Sequence, residues 1–581
     1  MKRLGLWTVL LLAGLAAIFS FRTRVADGGT PGWDSASHGV QGYALAQDLA
    51  RFDVANFAAD ALGHRYRYPP GHPLALAGAY LVFGPSWWTA IGLSALLFAA
   101  LAVVLYATAE SKVAGWISAI LALSCPALLA LSGMIMLDLP AAILMALSLR
   151  LYVRSLEDDS AVRPLGWTLT VFMLTAAQYA ICVLASLMLF EAWRSRAWLT
   201  HWIVRFSKSK ALFHPLHILI AIAVLTALAI RLTGGWKIGA LSMTRAGGAF
   251  IAAALLTGVR VAWLCWKHRE PLRETPKRYR DIFLTAVVPI YVWVFVIYPP
   301  RFQQISEWIS RPPVVHERTD PAHWSFYPEY FLYGGHAAPW VSLGVAFLVA
   351  ASFTRRAVPE RIRFLQWAVV IGALLVLGHH ARQSRFIVPF LVAWWILASE
   401  TLVGFFPAMR SRMFAGAAAT LAIVVPSVAL YRSELPSVVS PPAIHREYAA
   451  VLPLAVNAIG DAPSIRVIGS IDGLSHHLFE WELRKRFDLR KKPFEPNLEK
   501  PQVSPRAEYD EWMAGKPEAL VVAIEPTGLQ GPSLSSGGMG LDWPHWTMLF
   551  LRDEPRYQEI HKLDFDSARL CVRIYRKKSS P

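Results

Sequence analysis

Apolar runs of about 20 residues, the length a helix needs to cross hydrocarbon, recur from residue 4 to residue 431. They fall at 4–21, 86–109, 113–131, 139–153, 211–230, 241–264, 281–299, 337–353, 364–378, 386–404 and 413–431, with a pair inside 165–190. A backbone in lipid must satisfy its own hydrogen bonds, so these runs predict α-helices and about 13 membrane passes. The chain is 55% hydrophobic over 581 residues, with a mean hydropathy of +0.39. A soluble chain of this size would instead divide into domains with polar surfaces. The expected architecture is an α-helical polytopic membrane protein over residues 1–431, followed by a small extracytoplasmic α/β domain over 432–581.

Charge sets the expected topology. The net charge of +17 is explained by basic cytoplasmic loops, and no nucleic acid partner is expected. The basic loops are Arg194–Lys210, Lys267–Arg280 and Arg355–Arg363, together with the groups Arg150/Arg154/Arg163 and Arg410/Arg412. For all of them to share one side, segment 165–190 must enter and return as two short or broken helices meeting near Ala177-Gln178-Tyr179. The first run follows Lys2-Arg3 and is expected to stay uncleaved, with a cytoplasmic N-terminus. Loop 22–85, the turn at Asp138, loop 300–336, turn 379–385 and everything after 432 then lie outside.

Four polar clusters consequently share the outer face: Trp33–His38 (WDSASH), Met136–Pro140 (MLDLP), His323–Tyr330 (HWSFYPEY) and His379–Arg385 (HHARQSR). Ionisable groups at a membrane are costly and are usually kept for function. Two acids with several arginines and histidines suit an enzyme acting on an anionic, membrane-borne substrate. Each cluster also has a plainer reading. Asp34 is either a helix N-cap or a general base at the membrane surface, with His38 one turn on. Asp138, before Leu139-Pro140, is a second cap or a second carboxylate. Arg382 and Arg385, with His379 and His380, either snorkel to headgroups or clamp a phosphate. The aromatic loop 323–330 with Glu329, and Trp33, Tyr66 and Tyr68, are interface aromatics or a substrate wall. Residues 36–51 read as an amphipathic helix lying in the interface.

Several chemistries find no support. The cysteines Cys125, Cys182, Cys265 and Cys571 have no CxxC or metal-type spacing, which argues against a disulfide framework or zinc site. The chain lacks GxxxxGK[ST], HExxH and GxSxG, the signatures of P-loop, zincin and α/β-hydrolase chemistry. Beyond Pro436, Pro441 and Pro442, strands are expected at Ser464–Ser470, Ala519–Ile524 and Leu570–Tyr575, with a helix over Leu474–Arg486.

The order of these motifs resembles the GT-C superfamily of integral-membrane glycosyltransferases, most nearly its protein O-mannosyltransferase-like group, which includes the aminoarabinose transferases. The resemblance covers roughly residues 1–430. It rests on Asp34 in the first outer loop, YPPxxP (Tyr68–Pro73), LDxP (Leu137–Pro140), FYP (Phe326–Pro328) and RxxRFxxP (Arg382–Pro389). It implies transfer of a sugar from a polyprenyl-phosphate donor, with inversion, to a glycan, lipid or protein acceptor at the outer face of the cytoplasmic (inner) membrane. Asp34 would be the general base, with Asp138 as a second catalytic carboxylate. Arg382, Arg385 and His379 would hold the donor phosphate, and His38, Tyr66, Tyr68, Gln178, Tyr327 and Glu329 would line the pocket. Two positions depart from the group: Ser35 stands where many relatives have Glu, and Gln178 where Lys is expected. The missing Glu weakens a metal site, so no cofactor and no tightly bound metal is expected. The competing readings are a flippase for lipid-linked sugars and a non-catalytic envelope scaffold.

Overall fold

The computed structural model describes residues 2–62, 69–196, 215–233, 236–238, 241–243, 252–253, 255–260, 277–297, 321–355, 358–378, 383–406, 408–459, 465–468, 473–486, 494–495, 520–526, 555–565 and 570–578. Its first half runs α1 (Lys2–Asp27), α2 (Trp33–Ala50), α3 (Val54–Leu62), α4 (Gly71–Phe83), α5 (Trp87–Thr108), α6 (Lys112–Leu123), α7 (Pro126–Ser132), α8 (Asp138–Ser155) and α9 (Val162–Arg194). There follow α10 (Pro215–Thr233), a hairpin of β1 (Trp236–Ile238) and β2 (Leu241–Met243), and α11 (Lys277–Ile282), which continues through π-turns to Ile297. The later helices are α12 (Pro321–Tyr333), α13 (Pro339–Phe353), α14 (Glu360–Gly378), α15 (Val388–Gly404), α16 (Met409–Ala429), α17 (Leu435–Val439), α18 (Ile444–Ile459) and α19 (His476–Arg486). Among the described residues, six helices are long and apolar enough to cross a membrane, and α6 with α7 makes a further span bent by 65°. Local chemistry sets several starts. Ser86 caps α5 by accepting from Thr89 N at 3.0 Å, and Ser111 caps α6 by accepting from Ala114 N at 3.0 Å. Pro126 opens α7, where its missing N–H has no intrahelical role.

Helix α9 turns back on itself. At one end Arg163 pairs with Asp281 at 3.1 Å, and at the other Glu191 takes Arg278 at 2.8 Å. A straight helix would separate residues 163 and 191 by about 42 Å, whereas residues 278 and 281 lie only about 4.5 Å apart along α11. The reversal is at Ala176, whose backbone (φ −150°, ψ 70°) is not helical. The in-and-out hairpin expected near Ala177-Gln178-Tyr179 is therefore present. Its second arm lies beside α8: Tyr179 meets Asp138 at one end, and Glu191 meets Tyr152 at the other.

This fixes two faces. Arg154, Arg163, Arg194, Arg278, Arg355 and Arg361 gather at one end of the bundle, where Arg194, Arg278 and Arg361 pair with Glu360, Glu191 and Glu110, Arg154 and Arg163 with Asp158 and Asp281, and Arg355 donates to Thr401 O. Asp34, Asp138 and Arg385 stand at the other.

Four expectations are corrected. The segment 36–51 does not lie in the interface: α2 is buried along most of its length, between α4, α5 and the C-terminal unit. Small residues allow this approach. A Cβ on Gly39 would fall 2.4 Å from the Trp87 ring, and one on Gly42 would fall 2.6 Å from Leu76 Cβ. The aromatic segment 323–330 is helix α12 rather than loop. The run 241–264 begins with the strand β2, paired to β1, so its helical part starts later: among the described residues 252–253 and 255–260 are helical. Pro436 does not sit in an extended linker; it starts the short helix α17.

The C-terminal unit is α/β. Its sheet has the order β4-β3-β5-β7-β6, formed by β3 (Ile465–Ile468), β4 (Phe494–Glu495), β5 (Leu520–Pro526), β6 (Tyr557–Phe565) and β7 (Leu570–Lys577). Strand β3 is parallel to β4 and β5, and β7 is antiparallel to β5 and β6. Val522 and Ile524, with Leu570, Val572 and Ile574, point to one face at period two. They pack on Tyr448, Val451, Leu452 and Ala455 of α18, and Ala36 of α2 joins the same core. The chain after α1 is tied to this unit. Thr30 Oγ1 donates to Gly473 O at 2.6 Å, Thr30 N donates to His445 O at 3.1 Å, and Asp27 pairs with Arg446 at 2.9 Å.

The hairpin at Ala176 makes a labelling prediction. In a background without native cysteines, a cysteine at Gln178 should react with a membrane-impermeant maleimide from the Asp34 side, and cysteines at Arg163 and Arg194 only from the opposite side. Labelling of 163 and 194 from opposite sides would show a through-going helix.

Candidate active site

Asp34 lies in the first turn of α2, and the N-cap is Gly32, so Asp34 is not the cap. Its Oδ2 instead receives Arg385 Nη2 at 2.6 Å. Asp34 is 34% exposed and Arg385 22%, so the pair is within reach of a ligand. Arg385 comes from the 3-10 turn Ser384–Ile387 before α15. Its Nε donates to Gln383 Oε1 at 2.7 Å, and its Nη1 lies 3.5 Å from Met136 Sδ. Together these contacts aim the guanidinium across the rim.

Asp138 sits behind them, 2% exposed, as the first residue of α8 after the N-cap Leu137. The cap reading fails here too: Asp138 Oδ1 accepts from the Tyr179 hydroxyl at 2.5 Å. Asp138 and Asp34 both interact electrostatically with Arg385. The reversal at Ala176 is what delivers Tyr179 to this spot. Ser35 Oγ accepts from Ile135 N at 3.2 Å, pinning the turn before Asp138 to α2. The residue that departs from the GT-C pattern therefore aligns the two carboxylates.

His38, one turn beyond Asp34, is buried against His72 of α4 with ring centroids 5.3 Å apart. Burial and then the neighbouring His72 push His38 well below the usual histidine range, while Asp34 opposes the shift. Tyr327 is buried on α12 within electrostatic reach of Tyr179. Gln178 is half-buried beside Tyr179, whereas Glu329 is exposed on α12. Tyr66, Tyr68, His379 and Arg382, and the His323 side chain, lie outside the described residues. Among the described residues, no three His, Cys, Asp or Glu stand close enough to hold a metal ion.

Sequence reasoning missed Tyr179, His72, Ser35 and the C-terminal contribution. Trp33 is packed edge-on against His476, with centroids 5.2 Å apart, and against His477, at 6.3 Å. Trp481 stacks on Trp87 at 4.0 Å, between Tyr43 and Tyr80. Glu480 and Arg484 form a buried pair at 2.7 Å, and Arg484 also reaches Gln47 of α2. Helix α19 thus clamps the helix that carries Asp34.

No protein-family model and no curated protein matches this sequence. Among solved structures, the chain is similar to ArnT from Cupriavidus metallidurans bound to undecaprenyl phosphate. The identity is 14% and the TM-score 0.50, covering 98% of each chain. ArnT from the same organism in the apo state gives 14% identity and a TM-score of 0.47, covering 98% of this chain and 97% of that one. The Archaeoglobus fulgidus oligosaccharyltransferase tethered to an acceptor peptide gives 10% and 0.45, covering 89% and 69%. The first likeness shows the expected GT-C polytopic fold over nearly the whole length.

The α19 clamp should weaken at low pH. Arg484 and His477 outweigh the opposing effect of burial and hold Glu480 down to about 2, against 4.5 for a free carboxyl. A depressed carboxylate contributes stability above its unfolded pKa and loses it as pH falls through the folded one. Fluorescence of Trp481 followed from pH 5 to pH 2 should report loosening of α19, and Glu480→Gln should flatten that transition. An unchanged profile in the variant would exclude Glu480 as its source.

Proposed function

We propose that this chain, built on the fold of ArnT, transfers a sugar from a polyprenyl-phosphate donor to an acceptor at the membrane face that carries Asp34. The observation that supports this most is the Asp34–Arg385 pair with Asp138 behind it: a base and a phosphate-binding cation side by side at the rim of a helical bundle. The ArnT structure similar to this one is bound to undecaprenyl phosphate, a donor's leaving group in this reading. The opposite face gathers the arginines, which makes it cytoplasmic by the positive-inside rule. The Asp34 face and the unit after residue 432 are then extracytoplasmic, as in a bacterial inner-membrane protein.

The acceptor hydroxyl attacks the anomeric carbon from the side opposite the phosphate. Its proton goes to Asp34, and the bond from carbon to phosphate oxygen breaks with its electron pair leaving on the phosphate. Arg385 meets that developing charge with a fixed cation, and guanidinium is well shaped for phosphate oxygens. Asp138, oriented by Tyr179, supplies negative charge toward the cation-like sugar. In-line geometry puts attacking and leaving oxygens on opposite sides of the carbon. Arg385 must therefore part from Asp34 as the donor phosphate engages it, and the base becomes available only with donor in place. Transporters place their ionisable sites near the midplane. The rim position of this cluster, at the first turns of α2 and α8 and in the turn before α15, favours the enzyme over the flippase. No metal step is part of this reading.

The test uses purified wild type and Asp34→Asn with a panel of polyprenyl-phosphate sugars and envelope acceptors, reading release of polyprenyl phosphate. Wild type should release it and the variant should lose at least 100-fold, within the range for removing a general base of roughly 10²–10⁴. Equal release by both would remove Asp34 from the mechanism. The same variant should bind a polyprenyl phosphate more tightly than wild type, because the carboxylate competing for Arg385 is gone. Weaker binding would mean that Asp34 holds Arg385 in its binding position instead.

A further inference from the structure

Helix α9 ends on the arginine-rich face beside Trp193, and two guanidiniums stand over that one ring. Arg363, near the start of α14, lies 5.1 Å from the ring centroid, and Arg196, just past the end of α9, lies 5.7 Å from it. Each cation is attracted by the π face, but two cations on one ring repel each other. The start of α14 adds the positive end of a helix dipole. The carboxylates close by in sequence are already engaged: Glu191 takes Arg278 at 2.8 Å, and Glu360 takes Arg194 at 3.3 Å. Among the described residues, no acid pairs with Arg363. This corner of the bundle therefore favours an anion.

Away from this charged end, both helices become apolar on the same side. One turn back along α9 from Trp193 is Leu189. On α14, Trp367, Val370 and Leu374 follow Arg363 by four, seven and eleven residues, which places them along its own side of the helix. Leu189, Val370 and Leu374 are exposed. The stripes leave the charged corner together, because the second arm of α9 arrives there as α14 departs. Phe190 packs on Phe364 and Trp367, with centroids 5.5 and 6.4 Å apart, and joins the two helices. A small cavity lined by Cys182, Ser186, Ala368 and Gly372 lies in the same seam. A soluble anion would meet only the guanidiniums. A ligand with an anionic head and hydrocarbon tails meets both parts, and basic pockets between spans suit anionic headgroups.

We propose that Trp193, Arg196 and Arg363 bind the headgroup of an anionic phospholipid, whose acyl chains lie along Leu189, Val370 and Leu374. The phosphate offsets the repulsion between the two guanidiniums, whose shape matches its oxygens. Trp193 stands at headgroup level, as interfacial tryptophans do. The bound lipid ties the end of α9 to the start of α14. It thereby steadies the arm whose other end presents Tyr179 to Asp138. The binding itself is independent of the transferase reading.

The test titrates phosphatidylglycerol or phosphatidylcholine into detergent micelles of the full chain, reading retained lipid by native mass spectrometry and the thermal midpoint. Wild type should retain phosphatidylglycerol in preference to phosphatidylcholine, and only the former should raise the midpoint. Arg363→Gln should weaken retention roughly 10- to 100-fold, the range for losing a hydrogen bond to a charged group. Trp193→Leu should weaken it too, and Arg196→Gln carries the same expectation where Arg363→Gln fails to fold. Arg410→Gln, which removes an exposed arginine at the start of α16, should retain the lipid as wild type does. An equal loss from Arg410→Gln would mean attraction to the basic face at large and would overturn the site. Equal retention of both lipids by wild type, or unaltered retention in the Arg363, Arg196 and Trp193 variants, would also overturn it. A midpoint raised as much by glycerol phosphate in solution would overturn the assignment to a lipid.

Discussion

One guanidinium at the rim of the bundle, Arg385, pairs with Asp34 in the first turn of α2 and lies within electrostatic reach of Asp138, which opens α8. Partly buried charges persist only when paired and hydrogen-bonded, so the positions of these helix starts are mutually constrained. Tyr179 adds a second constraint through Asp138, and it arrives there only because α9 reverses at Ala176. The same reversal brings Glu191 back to Arg278 and Tyr152 on the opposite face. The two arms of α9 therefore connect the order of the site to the order of the basic face.

Close approach of α2 supplies the other half of the arrangement. Gly39 and Gly42 let α2 press onto Trp87 and Leu76, so a helix expected to lie in the interface is enclosed on both sides. On its far side sits α19, with the Trp481–Trp87 stack and the Glu480–Arg484 pair. Trp33, next to Asp34, is packed against His476 and His477. The C-terminal unit is thus part of what positions Asp34, while Asp34 and Arg385 stay partly exposed at the rim.

Much of this was legible from the residues. Runs of about 20 apolar residues read as helices because lipid allows a spanning chain few other forms. The distribution of Arg and Lys put Asp34, Asp138 and Arg385 on one face and required the hairpin in 165–190, since the basic loops could not otherwise share a side. The period-two strands at 465–468, 520–526 and 570–577 were visible as short apolar runs. Strand β6 was not, because its burial alternates weakly and most of its side chains are exposed. Whether Asp34 caps α2 was equally closed to sequence: an Asp near a helix start suits a cap, and only the structure shows the cap to be Gly32 and the partner of Asp34 to be Arg385, 351 residues away.

The sequence by itself determined the class of fold, the common face of Asp34, Asp138 and Arg385 and the residue types available for chemistry, because solvent and lipid act on each segment locally. The tertiary structure alone decided which of those residues meet. Arg385 on Asp34, Tyr179 on Asp138, Ser35 on Ile135 and His72 on His38 are contacts between segments 34 to 351 positions apart. Such pairings depend on how closely helices pack and where one turns back, and those are properties of glycine contacts and a single non-helical residue that no local pattern encodes.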